Sequence, residues 1–245
     1  MKKVSLIIPA HNEEGCIEET VHAFHNELKS ENIPHEILVI NDNSKDETEI
    51  ILKRLTLKIP ELKCMNNIPP NGFGFAVRKG LENFSGDYVA IVMADLSDRP
   101  SDLISYYRKM EQGYDCVFGS RFIKGGKTIN YPKFKYYLNR LTNNVIKGLF
   151  GIRYNDTTNA FKLYKKETII GLKPFLSHHF NLTVELPLKA IVRGYSYAVV
   201  PNYWINRKNG ESKLKIKEMG SRYFFIILYC LLEKWLSNGD YKKII

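Results

Sequence analysis

Apolar positions in the first half of the chain alternate between two textures. Short continuous runs rich in Val and Ile read as strands buried on both faces, and stretches with apolar residues three and four apart read as amphipathic helices. Residues 4–8 predict a first strand, after which Ile17, Val21, Phe24 and Leu28 share one helical face. Residues 36–40 predict a second strand, followed by the polar run Asn41-Asp-Asn-Ser-Lys-Asp-Glu-Thr48 and a helix through Leu55. A third strand is expected at 62–65, a helix opening from the glycine-rich turn 70–74 and running through Leu81, a fourth strand at 88–93 and a fifth at 116–118. Strands alternating with helices in this way build an α/β fold with a mainly parallel central sheet flanked by helices.

The polar residues that interrupt the pattern gather just after the strands: Asn12 and Glu13, then Asp42, then Asp95 and Asp98. In open α/β sheets ligands bind beyond the carboxyl ends of the strands, so polar groups gathered at that edge describe a nucleotide-type crevice. Carboxylates there are costly unless something positive pairs with them, and a divalent metal carrying a phosphorylated ligand does so. A cap on a helix starting near Pro100 accounts for Asp95 and Asp98 equally well. Gly72, Gly74 and Gly80 do not make a dinucleotide fingerprint, and no Walker loop occurs, which argues against NAD enzymes and P-loop kinases.

The second half changes character. Tyr137, Leu138, Leu141, Val145 and Leu149 fall at helical spacing, with Lys133, Lys135, Arg140 and Lys147 between them. Residues 223–232 are the most hydrophobic run; even extended to Leu236 they fall short of the ~20 residues of a bilayer span. They predict a packing helix or one lying in a membrane interface beside Lys213, Lys215, Lys217 and Arg222. The chain is therefore read as a domain over 1–214 and a C-terminal helical extension over 215–245. The hydrophobic content of 44% is ordinary, but the net charge of +10 over 245 residues asks for an acidic partner, such as anionic lipid or a phosphorylated substrate. Basic residues are not interleaved with stacking aromatics, which argues against nucleic acid. Cys16, Cys64, Cys116 and Cys230 are scattered among apolar residues, as expected of reduced thiols in a cytosolic compartment. The N-terminal apolar run is too short for a signal peptide.

Four motifs in order, Ser5-Leu-Ile-Ile-Pro-Ala-His-Asn-Glu-Glu14, Val39-Ile-Asn-Asp-Asn-Ser-Lys-Asp-Glu-Thr48, the segment from Gly86 to Asp95, and Gly119-Ser-Arg121, resemble the family-two inverting glycosyltransferases of GT-A fold. Asp156-Thr-Thr-Asn-Ala-Phe-Lys-Leu-Tyr164, Val184-Glu-Leu-Pro-Leu-Lys-Ala-Ile-Val-Arg-Gly-Tyr195, Val200-Pro and Arg207-Lys-Asn-Gly-Glu-Ser-Lys-Leu214 are similar to the polyprenyl-phosphate sugar synthases, the group of the dolichyl-phosphate mannose synthases. The resemblance implies transfer of a sugar from a nucleotide-diphosphate sugar to a polyprenyl (dolichyl or undecaprenyl) phosphate. It places the donor on Pro9, Ala10, Asn12, Glu13 and Asp42, with Arg78, Ala94, Asp95 and Arg121 beside the phosphates. Asp42 suits a base edge or ribose, or equally an Asx turn. The implied metal is Mg2+ or Mn2+, held by Asp95 with Ser97 or Asp98. Met93 stands where the family has its first acid, and a thioether is a poor partner for a hard cation, so either Asp98 or Ser97 works with Asp95 or metal dependence is weakened.

On the acceptor side, Arg207 and Lys213 flank Gly210 and match the family's phosphate-gripping loop. A lipid monophosphate already carries about −1.5 to −2 charges and needs positioning more than deprotonation. Glu185, expected with Asp95 and Arg207 to be catalytic, either orients the acceptor, acts as base or pairs with a lysine. Asn41, Asn159-Ala160 and Lys162 depart from the family's usual acid, Ser-Gly and Arg. Two other readings stand beside this one. A glycan hydroxyl acceptor needs Glu185 or Asp156 as base; a non-catalytic nucleotide-sugar-binding subunit needs none. A cytoplasmic location with peripheral contact at the inner membrane face, and assembly as a homo-oligomer, complete the expectations.

Overall fold

The computed structural model describes residues 1–206 and 216–243. In chain order the first half runs β1 (Val4–Ala10), α1 (Ile17–Ser30), β2 (His35–Asn41), α2 (Thr48–Thr56), β3 (Leu62–Asn66), α3 (Phe73–Asn83), β4 (Tyr88–Ile91), α4 (Pro100–Met110) and β5 (Cys116–Ser120). The second half adds β6 (Lys127–Ile129), α5 (Lys133–Phe150), β7 (Lys162–Lys165), α6 (Lys166–Gly171), α7 (Leu182–Val192), β8 (Tyr197–Pro201), β9 (Tyr203–Ile205) and α8 (Ile216–Leu236).

Among the described residues, seven strands form one sheet in the order β3-β2-β1-β4-β7-β5-β8. β1 runs parallel to both β2 and β4, with Ala10 opposite Asn41 and Ile7 opposite Ile91, so the loops after these strands emerge at one edge. Successive β1 side chains point to opposite faces and feed two cores. Leu6 and Ile8 join Phe24 and Leu28 of α1 on one side, while Ile7 joins Val77 and Leu81 of α3 on the other. Fully burying a side chain such as Phe24 contributes roughly 1.5–3 kcal/mol. α3 lies close because it carries glycines: a Cβ on Gly80 would meet Ile7 at 2.5 Å, and one on Gly74 would meet the His178 backbone at 2.3 Å.

Two elements differ from the sequence expectation. β4 ends at Ile91 rather than 93, because the Met93 N–H leaves the ladder and donates to Asp98 Oδ2 at 3.2 Å. β7 enters the sheet antiparallel between β4 and β5, with Lys162 opposite both Ile91 and Phe118. Four residues behind a polar loop carry too little periodicity to announce such a strand.

α8 is buried on one face only. Ile226, Cys230 and Leu231 pack with Val184 and Leu188 of α7 and Ile146 and Phe150 of α5. Arg193 clamps Glu233 bidentately at 2.7 and 2.9 Å, and Lys234 Nζ donates to the Phe150 carbonyl at 2.7 Å, capping α5. The charged residues that break the apolar run thus serve as its fastenings.

Candidate active site

A cavity of about 950 Å³ opens at the carboxyl edge of the sheet. Pro9 and Ala10 at the end of β1, Glu13 after it, Asp42 after β2, Asp95, Ser97 and Asp98 after β4, and Arg121 after β5 all line it. Parallel pairing of β1 with β2 and β4 brings the first three stretches to one place, and β5, running the same way beyond the antiparallel β7, brings Arg121 to the same edge. Asn12, Ala94 and Arg78 lie outside its lining. Asn12, at a positive φ of 51°, ties the first loop to the second by accepting the Lys45 N–H at 2.8 Å. Ala94 is buried, and its carbonyl accepts Thr20 Oγ1 at 2.7 Å.

Asp42 is neither a cap nor an Asx turn. Its Oδ1 accepts Asn67 Nδ2 at 2.7 Å and its Oδ2 accepts the Gly72 N–H at 2.8 Å, so the carboxylate pins the turn that opens α3. The side chain that closes the second loop is Asn41, whose Oδ1 accepts the Ser44 N–H at 3.2 Å. His11 adds a ring bond to the Asp42 carbonyl at 2.7 Å.

The two acids after β4 sit in different surroundings. Asp95 Oδ1 accepts the Ser97 N–H at 3.1 Å. Asp98 is 1% exposed, and burial, aided by the nearby Asp95 against the Met93 hydrogen bond, pushes its carboxyl up to about 7. A buried carboxyl disfavoured in its charged form, with a second acid beside it, suits a cation. Among the described residues no group of three or more His, Cys, Asp or Glu surrounds a common point, so an ion here would rest on one or two carboxylates and the ligand's phosphates. That is the ordinary manner of Mg2+, and Asp95, Ser97 and Asp98 offer it only hard oxygen donors.

Arg121 is committed within the protein. Its Nε and Nη2 donate to Asp156 at 2.8 and 2.7 Å, and its backbone N–H adds a third bond at 2.9 Å. Burial works against its charge, but Asp156 outweighs it and holds the guanidinium above its usual range. Asp156, fully buried in this pair, has no oxygen to spare as a base for a hydroxyl acceptor. Glu185 is likewise placed away from the cavity. It is 0% exposed, accepts the Leu176 and Ser177 N–H groups at 2.8 and 2.7 Å, and pairs with Lys189 at 2.6 Å. The expected catalytic role for Glu185 therefore lacks a geometric basis, and of the three readings open to it the structure displays the lysine pair. The i,i+4 spacing of Glu185 and Lys189 was the signal for it. Arg207 and Lys213 lie outside the described residues; Asn206, just before them, lines the cavity.

The far end of the cavity is apolar. Leu138, Leu141 and Val145 of α5 face Tyr223, Phe224 and Ile227 of α8 across it. The same helices carry apolar side chains outward: Phe134 is 72% and Tyr137 70% exposed on α5, and Phe225 58% and Trp235 61% on α8. Exposed apolar side chains gathered on a helix face are the kind of surface that interaction sites present. Among the described residues no helix is long and apolar enough to cross a membrane. His179, Phe180 and Thr183 before and in α7, and Trp204 on β9, also line the cavity and were not legible in the sequence. β9 is three residues long, and the 178–180 turn reaches the site only by packing against Gly72 and Gly74 of the α3 turn.

Comparison with known proteins agrees with this architecture. The model of the family described as Glycosyl transferase family 2 matches residues 5–171. A Pyrococcus furiosus protein named dolichol-phosphate mannosyltransferase is 33% identical over 243 residues, covering 97% of this chain and 66% of its own length. A Mycolicibacterium smegmatis polyprenol monophosphomannose synthase is 27% identical over 219 residues, covering 87% of this chain and 81% of its own. This chain thus spans about two thirds of the Pyrococcus relative. Among solved structures, Mycobacterium tuberculosis glucosyl-3-phosphoglycerate synthase with Mn2+, uridine diphosphate and phosphoglyceric acid superposes with a TM-score of 0.71 at 17% identity, covering 95% of this chain and 78% of that one. That likeness carries the fold, a GT-A architecture, while the family match covers more than half of the chain. By its sequence, this chain belongs to glycosyl transferase family 2.

Proposed function

We propose that the chain transfers a sugar from a nucleoside-diphosphate donor to a polyprenyl phosphate, with inversion at the anomeric carbon, while lying against the cytoplasmic face of a membrane. The observation that carries this reading is a single cavity with two chemistries, acidic at the sheet edge and apolar between α5 and α8. The sheet edge suits a nucleotide and its diphosphate, and the helix end suits a prenyl chain. The names of the curated relatives support the same acceptor.

In the reaction an acceptor phosphate oxygen attacks the anomeric carbon from the face opposite the diphosphate. The carbon–oxygen bond to the donor breaks and its electron pair leaves with the nucleoside diphosphate. Asp95, with Ser97 and Asp98, would hold a Mg2+ or Mn2+ ion, which supplies charge stabilisation to the departing diphosphate. A phosphate acceptor is already anionic, so no base is required. This fits a site in which Asp156 and Glu185 are both engaged elsewhere. A hydroxyl acceptor would need one of them freed. Arg207 and Lys213 would then grip the acceptor phosphate.

The test is a radiolabel screen of several nucleotide sugars against polyprenyl phosphate, with and without Mg2+ or Mn2+. One donor is expected to move label into the organic phase only when lipid phosphate and metal are both present. Label that reaches only a soluble glycan overturns the reading. The membrane face has its own test in flotation with vesicles containing about 30% anionic lipid. The triple variant Phe225→Ser, Leu228→Ser, Trp235→Ser is expected to lose most vesicle binding and at least about tenfold of the transfer to long-chain acceptor. Its melting temperature should move little, because these side chains are exposed in the folded protein. Undiminished flotation would remove this face from the proposal.

A further inference from the structure

Lys162 is the least expected charge in the protein. It opens β7 in the middle of the sheet and is 1% exposed. Its Nζ donates to the Thr157 carbonyl at 3.0 Å, to the Thr183 carbonyl at 3.2 Å and to the Asn159 carbonyl. The three N–H donors of an ammonium are thus matched to three acceptors, all of them neutral. An ammonium buried on neutral acceptors is costly to hold, and a side chain kept there needs a reason.

The positions of those carbonyls supply one. Thr157 and Asn159 belong to the segment that joins Asp156 to the sheet, and Thr183 lies in the first turn of α7. Thr158, Asn159 and Thr183 all line the cavity. Arg121 anchors this segment at its start through Asp156, and Lys162 ties its middle to α7. We propose that Lys162 is a positioning residue whose ammonium bridges the 157–159 segment and Thr183, holding that wall of the cavity in place for a phosphate-bearing ligand and relaxing it on loss of the proton. The proposal rests on the reading that the cavity takes a nucleoside diphosphate.

The surroundings of Lys162 make the proton available for such a role. Burial, with Arg121 acting in the same sense, pulls the ammonium down to about 7 against the opposing pull of Asp156 and Asp98. Arg121 faces it from the end of β5, Asp156 from its own loop and Asp98 from the turn after β4. The charged residues of α7, Glu185 and Lys189, neutralise each other. A neutral amine keeps two N–H donors and turns a lone pair towards one of the carbonyls, so the three-way bridge opens at one contact. A diphosphate arriving in the cavity adds negative charge and favours the ammonium, which links ligand binding to protonation in both directions. Arginine, the residue the family resemblance leads one to expect here, would keep its charge throughout.

The experiment compares wild type, Lys162→Arg and Lys162→Met. Binding of UDP and of GDP in the presence of Mg2+ is measured by calorimetry at pH 6.5 and 8.5. Titration of the ligand's own terminal phosphate is common to all proteins, so the ratio between variants is the reading. Wild-type affinity is expected to fall about tenfold more than that of Lys162→Arg across this interval, since the competent fraction shrinks as the amine deprotonates. Lys162→Met should bind weakly at both values. In parallel, NMR of 13Cε-labelled lysines in the ligand-free protein should show one resonance titrating near neutrality, absent from both variants and displaced to higher pH by inorganic pyrophosphate. Parallel pH dependence of wild type and Lys162→Arg, with binding intact, removes the role of Lys162 alone. A spectrum in which no lysine titrates below about pH 9 does the same without any variant having to fold. Absence of nucleoside-diphosphate binding by every protein at both values removes the donor reading and the proposal with it.

Discussion

Asp95→Ala is expected to lower sugar transfer by at least about a thousandfold, the scale of losing a central electrostatic contact to a leaving group. Asp95 lines the acidic end of the cavity together with the oxygen donors of Ser97 and Asp98. Since the position of the family's first acid is held by Met93, no second carboxylate stands ready two residues upstream. Asp95→Asn preserves an acceptor for the Ser97 N–H, now 3.1 Å from Oδ1, while removing the charge, and should be nearly as inactive. Met93→Asp offers the complementary result: restoring the acid should lower the Mg2+ or Mn2+ concentration needed for half-maximal activity. Steady-state kinetics over a metal titration checks all three. An Asp95→Ala enzyme within tenfold of wild type would show that the carboxylate is a turn residue and nothing more.

The second large effect is on stability. Asp156→Ala should destabilise the protein by about 3–5 kcal/mol, because it leaves the Arg121 guanidinium buried without its counter-charge. Arg121 is 8% exposed and Asp156 0%, and three hydrogen bonds join them. For a chain of 245 residues this corresponds to a fall of about 10 °C in melting temperature. Calorimetry or circular dichroism reads it directly. A shift under about 2 °C would mean that water reaches the guanidinium. Asp156→Asn should fall between the two, since it retains hydrogen bonding without charge.

These two residues divide the site in a way that only partly shows in the sequence. Asp95 is legible because an apolar strand run ends in acids, and a sheet edge is where such acids meet a ligand. Asp156 and Arg121 are 35 residues apart, and nothing in the spacing reveals that they consume each other's charge. Arg121 is therefore expected from its motif to serve the phosphates, yet in the folded protein two of its three guanidinium nitrogens point at Asp156. Glu185 stands out in sequence as an acid among apolar residues. Its partners are the nearby Lys189 and two backbone N–H groups of the 176–177 turn, and only the turn's fold supplies the latter. Asp42 shows the converse: its placement at the cavity is legible, but its bonds to Asn67 and Gly72 depend on how α3 docks.

The chain's own pattern of apolar runs determined the alternating strands and helices, the parallel edge and the acids gathered there, because burial on two faces and helical periodicity are local signals with fixed spacings. Tertiary structure alone decided where β4 stops, that β7 enters antiparallel, and that α5 and α8 turn one apolar face into the cavity and another outward. It also decided which charges remain for chemistry. A charge is available to a ligand only if no partner reaches it: the Glu185–Lys189 pair follows from helical spacing, but packing alone brings Asp156 to Arg121, the 176–177 N–H groups to Glu185 and the Thr183 carbonyl to Lys162.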